Sequence, residues 1–201
     1  MDLWREKGIV VNIGLRNRLR GASMKLNEVI YLEEDKYKIK ILSGEDIGDI
    51  NDLCNRAEDY FLMVDKKLPD ENTSMELLKD IPPSKTLEDK FLLGVYSYSD
   101  NKLIAIVDIL RDFHKAGEWM IGLLLLDKEK RKIGLGRAIQ SFIEEWVKEQ
   151  GGSTLKIGVL EINNKAMEFW CKTGYKEYKR VNMEFGGVDE VVIAMEKRLS
   201  L

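Results

Sequence analysis

One junction constrains the fold of this chain more than any other feature of its sequence. An apolar segment with the length of a buried strand, Trp119 to Leu126, leads into the turn Arg131-Lys132-Ile133-Gly134-Leu135-Gly136. Apolar residues then recur every three or four positions from 135 to 147, which predicts an amphipathic helix. A strand that turns through glycines into a helix leaves unpaired N–H groups at the positive end of the helix dipole. The junction therefore predicts an anion site, most simply for a phosphate, with Arg131, Lys132 and Arg137 adding positive charge.

The glycine spacing must first be compared with that of a dinucleotide-binding loop. That fingerprint requires a third glycine three residues after the second, followed by an acidic residue about 20 positions on. Ile139 stands at the third position, so the dinucleotide interpretation is poor. The spacing R-x-x-G-x-G after a strand instead resembles the acetyl-CoA pyrophosphate loop of the GNAT superfamily of N-acetyltransferases.

A second segment is similar to the same superfamily. After a short predicted strand, 155–160, the residues from Asn163 to Tyr175 resemble the family pattern N-x-x-A-x-x-[LF]-Y-x-x-x-G-[FY] with every spacing retained. The two segments together cover residues 118–175, and a coarse fit extends from 38 to 199. One residue departs from the pattern, because Trp170 stands where the family usually has tyrosine.

The order of predicted elements agrees with this resemblance. Periodicity and turn residues predict a first strand at 37–42, a helix at 47–62, a shorter helix at 74–79 and three strands between 91 and 126. A helix, a strand, a helix and a final antiparallel pair around Gly186-Gly187 follow. The resemblance implies an α+β fold: a mixed, mostly antiparallel twisted sheet flanked by helices, with a splayed parallel strand pair that holds the cofactor.

Composition limits the class of protein. The 201 residues are 44% hydrophobic and 33% charged, as in a globular protein, and the net charge of −3 does not favour nucleic-acid binding. Two cysteines and one histidine are too few for a disulfide framework or a metal site, which favours the cytoplasm and no metal. No apolar run reaches the length of a membrane span, so we expect no membrane association.

The N-terminal residues differ in charge from the rest of the chain. We expect residues 1–36 to be a basic N-terminal extension, accessory or poorly ordered, and residues 37–201 to be a single N-acetyltransferase domain. For residues 1–23 three interpretations remain open: a disordered basic arm, a docked extra helix, and a translation start at Met24.

The resemblance implies the cofactor-binding residues. Amides near Ile133 to Ala138 would bind the pyrophosphate, and backbone groups of the three leucines at 124–126 would lie beside the pantetheine arm. Asn163 is equally well explained as a helix N-cap, and Phe169 as a core residue with a secondary cofactor contact. The implied set is Leu124, Leu125, Leu126, Arg131, Lys132, Ile133, Gly134, Leu135, Gly136, Arg137, Ala138, Asn163 and Phe169.

The catalytic groups are less certain from sequence. Transfer to an amine requires a base, because a free amine with a pKa near 10 is mostly protonated at pH 7. Glu118 is the first candidate, since simple alternation puts it on the same strand face as Gly122 and Leu124; a solvated charge is its alternative. Asp108 is the second candidate, because a carboxylate in an apolar strand is costly to bury unless it is paired or used. The family places an oxyanion-binding bulge in this cofactor strand, here expected near Leu124 to Leu126.

These observations predict an acetyl-CoA-dependent N-acetyltransferase that acts on a primary amine of a small molecule or peptide. Its acceptor pocket is expected at the first two helices, with Tyr60, Phe61, Tyr96 and Tyr98 as wall residues and with Glu58 and Asp59 attracting the amine. Trp170 in place of tyrosine motivates the alternative, an acyl-CoA-binding sensor or regulatory module with little or no turnover. A homodimer remains open.

Overall fold

The structure, a computed structural model, describes residues 11–12, 27–32 and 35–199. Within these residues nine strands form one sheet in the order β1-β2-β3-β4-β5-β6-β7-β9-β8. The strands are β1 (Val11–Asn12), β2 (Asn27–Leu32), β3 (Asp35–Ile41), β4 (Lys90–Ser97), β5 (Leu103–Leu110), β6 (Glu118–Leu126), β7 (Thr154–Leu160), β8 (Lys176–Phe185) and β9 (Val188–Arg198). The helices are α1 (Ile47–Arg56), α2 (Glu58–Val64), α3 (Thr73–Lys79), α4 (Leu135–Glu149) and α5 (Asn164–Lys172).

All neighbouring strands are antiparallel except β6 and β7, which are parallel. Helix α4 crosses between them, as a parallel connection requires. The predicted fold class is confirmed: an α+β fold with a mixed, mostly antiparallel sheet, flanking helices and one parallel pair. Among the described helices, none combines the length and the apolar character that a membrane span requires.

The two faces of the sheet carry separate apolar cores. On one face α4 packs onto the central strands, where Trp146 meets Trp119 and Phe91 edge to face at ring distances of 5.5 and 5.3 Å. On the other face α1 and α2 contribute Leu53 and Phe61 to a smaller cluster against β4, β5 and β6. The strands between the two layers are therefore buried on both sides, which explains the nearly continuous apolar runs in β4 and β5.

The sheet begins earlier than the sequence predicts. The strand expected to be first, at 37–42, is β3, and β2 pairs with it from Asn27↔Lys40 to Leu32↔Asp35. Ile30 of β2 is fully buried in the larger core. The boundary at residue 37 stays a prediction, although β2, on its N-terminal side, is part of the sheet. Apart from residues 11–12, the basic segment 1–23 and its three interpretations lie outside the described residues.

The helix predicted at 47–62 is two helices. Ala57 has φ −111° and ψ 27°, and its amide donates to the carbonyls of both Leu53 and Cys54, which ends α1 and starts α2 at Glu58. The guanidinium of Arg56, the last residue of α1, bonds to Asp52 on the same helix at 3.1 Å and also to groups outside it. It donates to the carbonyl of Leu103 at 2.6 Å and pairs with the buried carboxylate of Asp127, so the end of α1 is fixed to the end of β6.

Candidate active site

The parallel strands β6 and β7 separate partway along their length. They pair from Glu118↔Thr154 to Ile121↔Ile157 and no further. Beyond that point β6 stays paired to β5 as far as Leu126, and β7 stays paired to β9 as far as Leu160. The result is a gap inside the sheet between residues 122–126 and 158–160, where each strand has main-chain groups that face no partner strand.

A bulge in β6 lies at the start of this gap. Ile109 pairs with Ile121 and Asp108 pairs with Leu123, so Gly122 is the extra residue. The bulge predicted near Leu124 to Leu126 is therefore at Gly122.

The extra residue also reverses the alternation of side chains along β6. Leu124 packs with the α4 core and Leu123 with the α1 core, whereas before the bulge it is Ile121 that packs with the α4 core. Glu118 consequently shares its face with Leu123 and Leu125, and the prediction that it shares a face with Leu124 is wrong.

The glycine loop, residues 131–136, exposes main-chain amides as predicted. Lys132 and Gly134 have positive φ values of 67° and 90°, and alternating conformations of this kind turn successive N–H groups toward one side. Within the part of the chain that the structure describes, the amides at 132–134 have no hydrogen-bond acceptor, and those of Leu135 and Gly136 belong to the first turn of α4. These five donors converge at one helix N-terminus, a suitable arrangement for a pyrophosphate.

The side chains of the loop fall into two groups. Leu135 and Ala138 are fully buried and hold α4 on the sheet, so they offer a ligand only their amides. Lys132, Ile133 and Arg137 are exposed at the mouth of the gap. The predicted cations Lys132 and Arg137 therefore remain free to approach an anion there.

Gly136 lies beside Phe169 and Leu126, and its lack of a side chain leaves room for a ligand to approach the main chain of the loop. A Cβ at this position would lie 3.5 Å from the ring of Phe169 and 3.7 Å from a methyl carbon of Leu126. Phe169 is partly buried against the α4 core, so it combines the predicted core role with a place beside the loop. Leu124 and Leu126 also lie on this side, whereas the side chain of Leu125 is buried on the opposite face.

Arg131 is occupied by protein groups. Its guanidinium donates to both carboxylate oxygens of Asp59 at 2.6 and 3.0 Å and to the carbonyl of Leu126 at 3.1 and 3.0 Å. Lys128 pairs in the same way with Glu58 at 3.2 Å. The hydrogen bond from Arg131 lowers the pKa of Asp59, against the effect of burial. The two acidic residues predicted to attract an amine thus connect the start of α2 to Lys128 and to Arg131 of the glycine loop.

In the second segment of the family resemblance, residues 163–175, the side chains make mainly structural contacts. The side chain of Asn163 accepts from the amide of Ala166 at 3.1 Å, which is the N-cap role; its amide nitrogen remains for a cofactor contact. Trp170 is 7% exposed and lies edge-on between Phe169 and Tyr175, each 4.9 Å away. Cys171, the neighbour of Trp170, is exposed.

A cavity of about 360 Å³ opens on the opposite face of the sheet from α4, between α2, α3 and the adjoining ends of β4 and β5. Of the predicted wall residues, Phe61 lines it. Tyr96 does not, because it is buried and its hydroxyl donates to Asp49 at 3.0 Å. The cavity is lined by Phe61, Asp65, Lys67, Leu68, Pro69, Thr73, Glu76, Leu77, Asp80, Lys90 and Asp108.

Asp108 connects this cavity with the bulge. Its Oδ2 accepts from Lys90 Nζ at 2.6 Å and lies 3.7 Å from where a Cβ of Gly122 would be. Its Oδ1 is buried without a hydrogen-bond partner in the described chain. Burial raises the pKa of Asp108, and Asp80 adds to the increase, while Lys90 partly opposes it. A carboxylate with a raised pKa and one free lone-pair side is suited to accept a proton.

Glu118 has a different environment. Its carboxylate pairs with Lys156 at 2.8 Å and with Lys115 at 3.2 Å. The hydrogen bond from Lys156 lowers the pKa of Glu118, and that from Lys115 acts in the same direction. Both interactions favour the ionised form and occupy its oxygens, so Glu118 is the weaker base of the two candidates.

Sequence reasoning missed Lys90 and the acidic residues on α2 and α3. The turn at 99–102 alone would pair Leu92 with Val107, and a bulge between Val95 and Tyr96 shifts the register so that Leu92 faces Asp108. Two residues earlier on the same face is Lys90. Asp65, Glu76 and Asp80 come from the segment before β4, and no local pattern places them near Asp108.

Comparisons with known proteins agree with this architecture. The family model described as Acetyltransferase (GNAT) family matches residues 51–175. An acetyltransferase from Thermus thermophilus superposes with a TM-score of 0.67 at 16% identity, covering 81% of this chain and 97% of the other. The ribosomal-protein-S5-alanine acetyltransferase of Vibrio fischeri gives 0.67 at 15% identity, with coverage of 85% and 96%. The ribosomal-protein-S18-alanine N-acetyltransferase of Escherichia coli gives 0.61 at 17% identity, with coverage of 82% and 95%.

At these identities the structural matches establish the fold alone. No curated protein sequence matches the chain significantly.

Proposed function

Since the chain belongs to the GNAT family of acetyltransferases, we propose that it transfers an acetyl group from acetyl-CoA directly to a primary amine of a small molecule or peptide. The observation that supports the proposal is that unpaired amides at 132–136 adjoin a gap between β6 and β7. In this gap both strands have main-chain groups without a partner strand. Acetyl-CoA supplies the activated acetyl thioester.

The residues around the gap fit that co-substrate. The amides of the glycine loop bind the pyrophosphate, and Lys132 and Arg137 balance its charge. Backbone groups of Leu124 to Leu126 pair with the amides of the pantetheine arm, as a neighbouring strand would. Phe169 covers the arm beside Gly136, and Asn163 contributes its free amide nitrogen.

The bulge at Gly122 marks the reacting end. A backbone N–H released from the ladder at the bulge donates to the thioester oxygen, where negative charge develops during attack. The acceptor amine approaches from the cavity face, and Asp108 removes its proton so that the nitrogen lone pair becomes available. The N–C bond forms and the C–S bond breaks, and the leaving thiolate, with a pKa near 8.5 as a free thiol, takes a proton from solvent.

A shared fold does not show that this chain acts on the same acceptor as a structural neighbour. Two of the neighbours named above are described as ribosomal-protein alanine acetyltransferases, which act on protein. Small amines and peptide N-termini therefore both belong to the proposal, and the acceptor has to be found by measuring turnover.

Burial of Trp170 supports a second candidate, an acyl-CoA-binding module with little turnover. An indole N–H has no useful acidity, so the position that usually holds a tyrosine offers no proton to the leaving thiolate. Release of free CoA thiol with a panel of amines separates the two functions. A catalyst releases thiol in an amine-dependent way, whereas a sensor is stabilised by acetyl-CoA and releases none.

A further inference from the structure

The cavity beside Asp108 has more acidic than basic groups, four carboxylates against the ammonium groups of Lys67 and Lys90. Lys90 is paired with Asp108 at 2.6 Å, and Lys67 is paired with Asp70, outside the lining, at 3.4 Å. Among the described residues, Asp65, Glu76 and Asp80 form no ion pair. Three of the cavity's four carboxylates thus have no cation bonded to them.

The acidic groups are spread along the wall instead of gathered at one point. Glu76 lies on α3, Asp80 directly follows the end of that helix, and Asp65 directly follows the end of α2. In the described part of the chain, no three acidic side chains converge closely enough to hold a metal ion. A ligand that satisfies them must therefore carry positive charge at some distance from its reacting end.

Apart from Thr73, the remaining lining is apolar. Phe61, Leu68, Pro69 and Leu77 provide surface between the acidic positions. Methylene groups of a ligand can be buried there, at a gain of about 0.8 kcal/mol for each. A volume of about 360 Å³ is at the small end of the range for ligand pockets, so the fitting molecule is short.

The position of Asp108 fixes the orientation of such a molecule. Asp108 is the lining residue that lies against the bulge at Gly122, so the amine that reacts is the one nearest to Asp108. Asp80 is close enough to raise the pKa of Asp108, which puts the start of the acidic wall next to the reacting end. The second charge is then bound along α3 and the end of α2.

We infer that the acceptor is a short aliphatic amine that carries a second cationic group, such as a diaminoalkane. This inference rests on the proposed function, because it names the acceptor of that same site. A monoamine of equal length fills the apolar part of the cavity but leaves the acidic wall unpaired. A carboxylate at the far end is repelled by that wall.

The test compares three acceptors of equal length with acetyl-CoA held at saturation: 1,4-diaminobutane, 4-aminobutan-1-ol and 4-aminobutanoate. The expected kcat/KM for the diamine is about tenfold or more above that for the amino alcohol, with the amino acid lowest. Equal values for the diamine and the amino alcohol overturn the inference while the proposed function stands. If no acceptor releases CoA thiol, the proposed function fails, and binding of the diamine to the acetyl-CoA-saturated protein is measured by calorimetry. Binding of diamine and amino alcohol with equal affinity then overturns the inference too.

Variants of the wall assign the preference to particular residues. Glu76→Gln combined with Asp80→Asn is expected to bring the diamine-to-amino-alcohol ratio of kcat/KM close to one. The matched control is Glu71→Gln combined with Glu45→Gln, which also removes two charges, from exposed residues outside the lining. Thermal unfolding of each variant confirms folding. A ratio that is unchanged in the wall variant, or that falls equally in the control, contradicts the assignment to the wall.

Discussion

The cofactor side and the acceptor side of the gap differ in which atoms they present to a ligand. On the cofactor side the groups are main-chain amides at 132–136 and strand edges at 122–126 and 158–160. On the acceptor side they are carboxylates on α2, α3 and β5. The positions of main-chain groups follow from the fold, which a whole family shares, whereas side chains can be exchanged without altering the fold. The comparison explains why such a fold keeps one co-substrate and changes its acceptor.

The largest expected effect is on the cofactor side. Gly136→Glu brings a carboxylate to the amides proposed to bind phosphate, and we expect acetyl-CoA affinity to fall more than about 100-fold by charge repulsion and occupancy of the site. The wild-type protein should gain about 2.7 kcal/mol of stability at about 100 times its dissociation constant, and the variant none.

Two controls accompany this variant. Gly136→Ala adds a Cβ with only ordinary contacts, at 3.5 Å from Phe169, and should retain most of the affinity. Gly48→Glu adds the same charge at a glycine of α1 with open space around it, and should bind normally. Retained affinity in Gly136→Glu contradicts the assignment of the loop.

The next effect belongs to the acceptor side. Asp108→Asn is expected to lower kcat by about 100-fold to 10,000-fold while the dissociation constant of acetyl-CoA stays the same. The wild-type rate should rise with pH as Asp108 loses its proton, with a midpoint above the ordinary pKa of aspartate because burial raises it. The variant should lack that rise.

Asp108→Asn leaves Lys90 without its partner, so its unfolding must be measured alongside. Asp108→Glu keeps the charge and should recover part of kcat. A normal rate in a folded Asp108→Asn protein excludes Asp108 as the base.

A smaller effect, on stability, is expected at Glu118. It helps to decide whether Asp108 or Glu118 is the base. Glu118→Gln is expected to lower the free energy of unfolding at pH 7 by about 1–3 kcal/mol, since it removes the partner of the mostly buried Lys156. The pKa of Glu118 is lowered in the folded protein, so its contribution is present above the unfolded pKa and is lost as pH falls through the folded one. The difference from wild type should therefore shrink in acid.

Chemical denaturation between pH 7 and pH 3 measures this trend, and kcat should change only a few-fold. A large loss of kcat with unchanged stability would instead assign the base to Glu118.

The smallest expected effect lies at the contact between the two sides. Asp59→Asn removes the ion pair that fastens α2 to the glycine loop, whereas Arg131 keeps its bonds to the carbonyl of Leu126. Because the pair is about half exposed, it contributes at most about 1 kcal/mol to the free energy of unfolding. We expect KM for the amine to rise by less than about fivefold, through the position of Phe61 on α2, with acetyl-CoA binding unchanged.

Steady-state kinetics with each substrate varied in turn measure this separation. Glu168→Gln, which breaks an exposed pair on α5, is the control and should alter neither constant. A larger change in the constant for acetyl-CoA than in that for the amine contradicts the role of Asp59.

Sequence reasoning succeeded where the structure depends on neighbouring residues. The strand, the glycine loop and α4 follow one another in the chain, and local periodicity and glycine positions determine them. It failed for Glu118 because one extra residue at Gly122 reverses every side chain beyond it, and no residue type announces a bulge. It did not predict the ion pair of Arg131 because the partner, Asp59, is 72 positions away. It missed β2 because the short segment 27–32 takes its position in the sheet by pairing with β3, which no local pattern shows.

The interruption between β6 and β7 has a consequence for the empty protein. Unpaired strand edges at the border of a sheet invite another chain to add itself and so promote aggregation. Here the unpaired edges face each other in the interior of one sheet, with β5 and β9 bonded behind them. The gap proposed to bind the co-substrate therefore keeps its unpaired main-chain groups away from the sheet border, where another chain could pair with them.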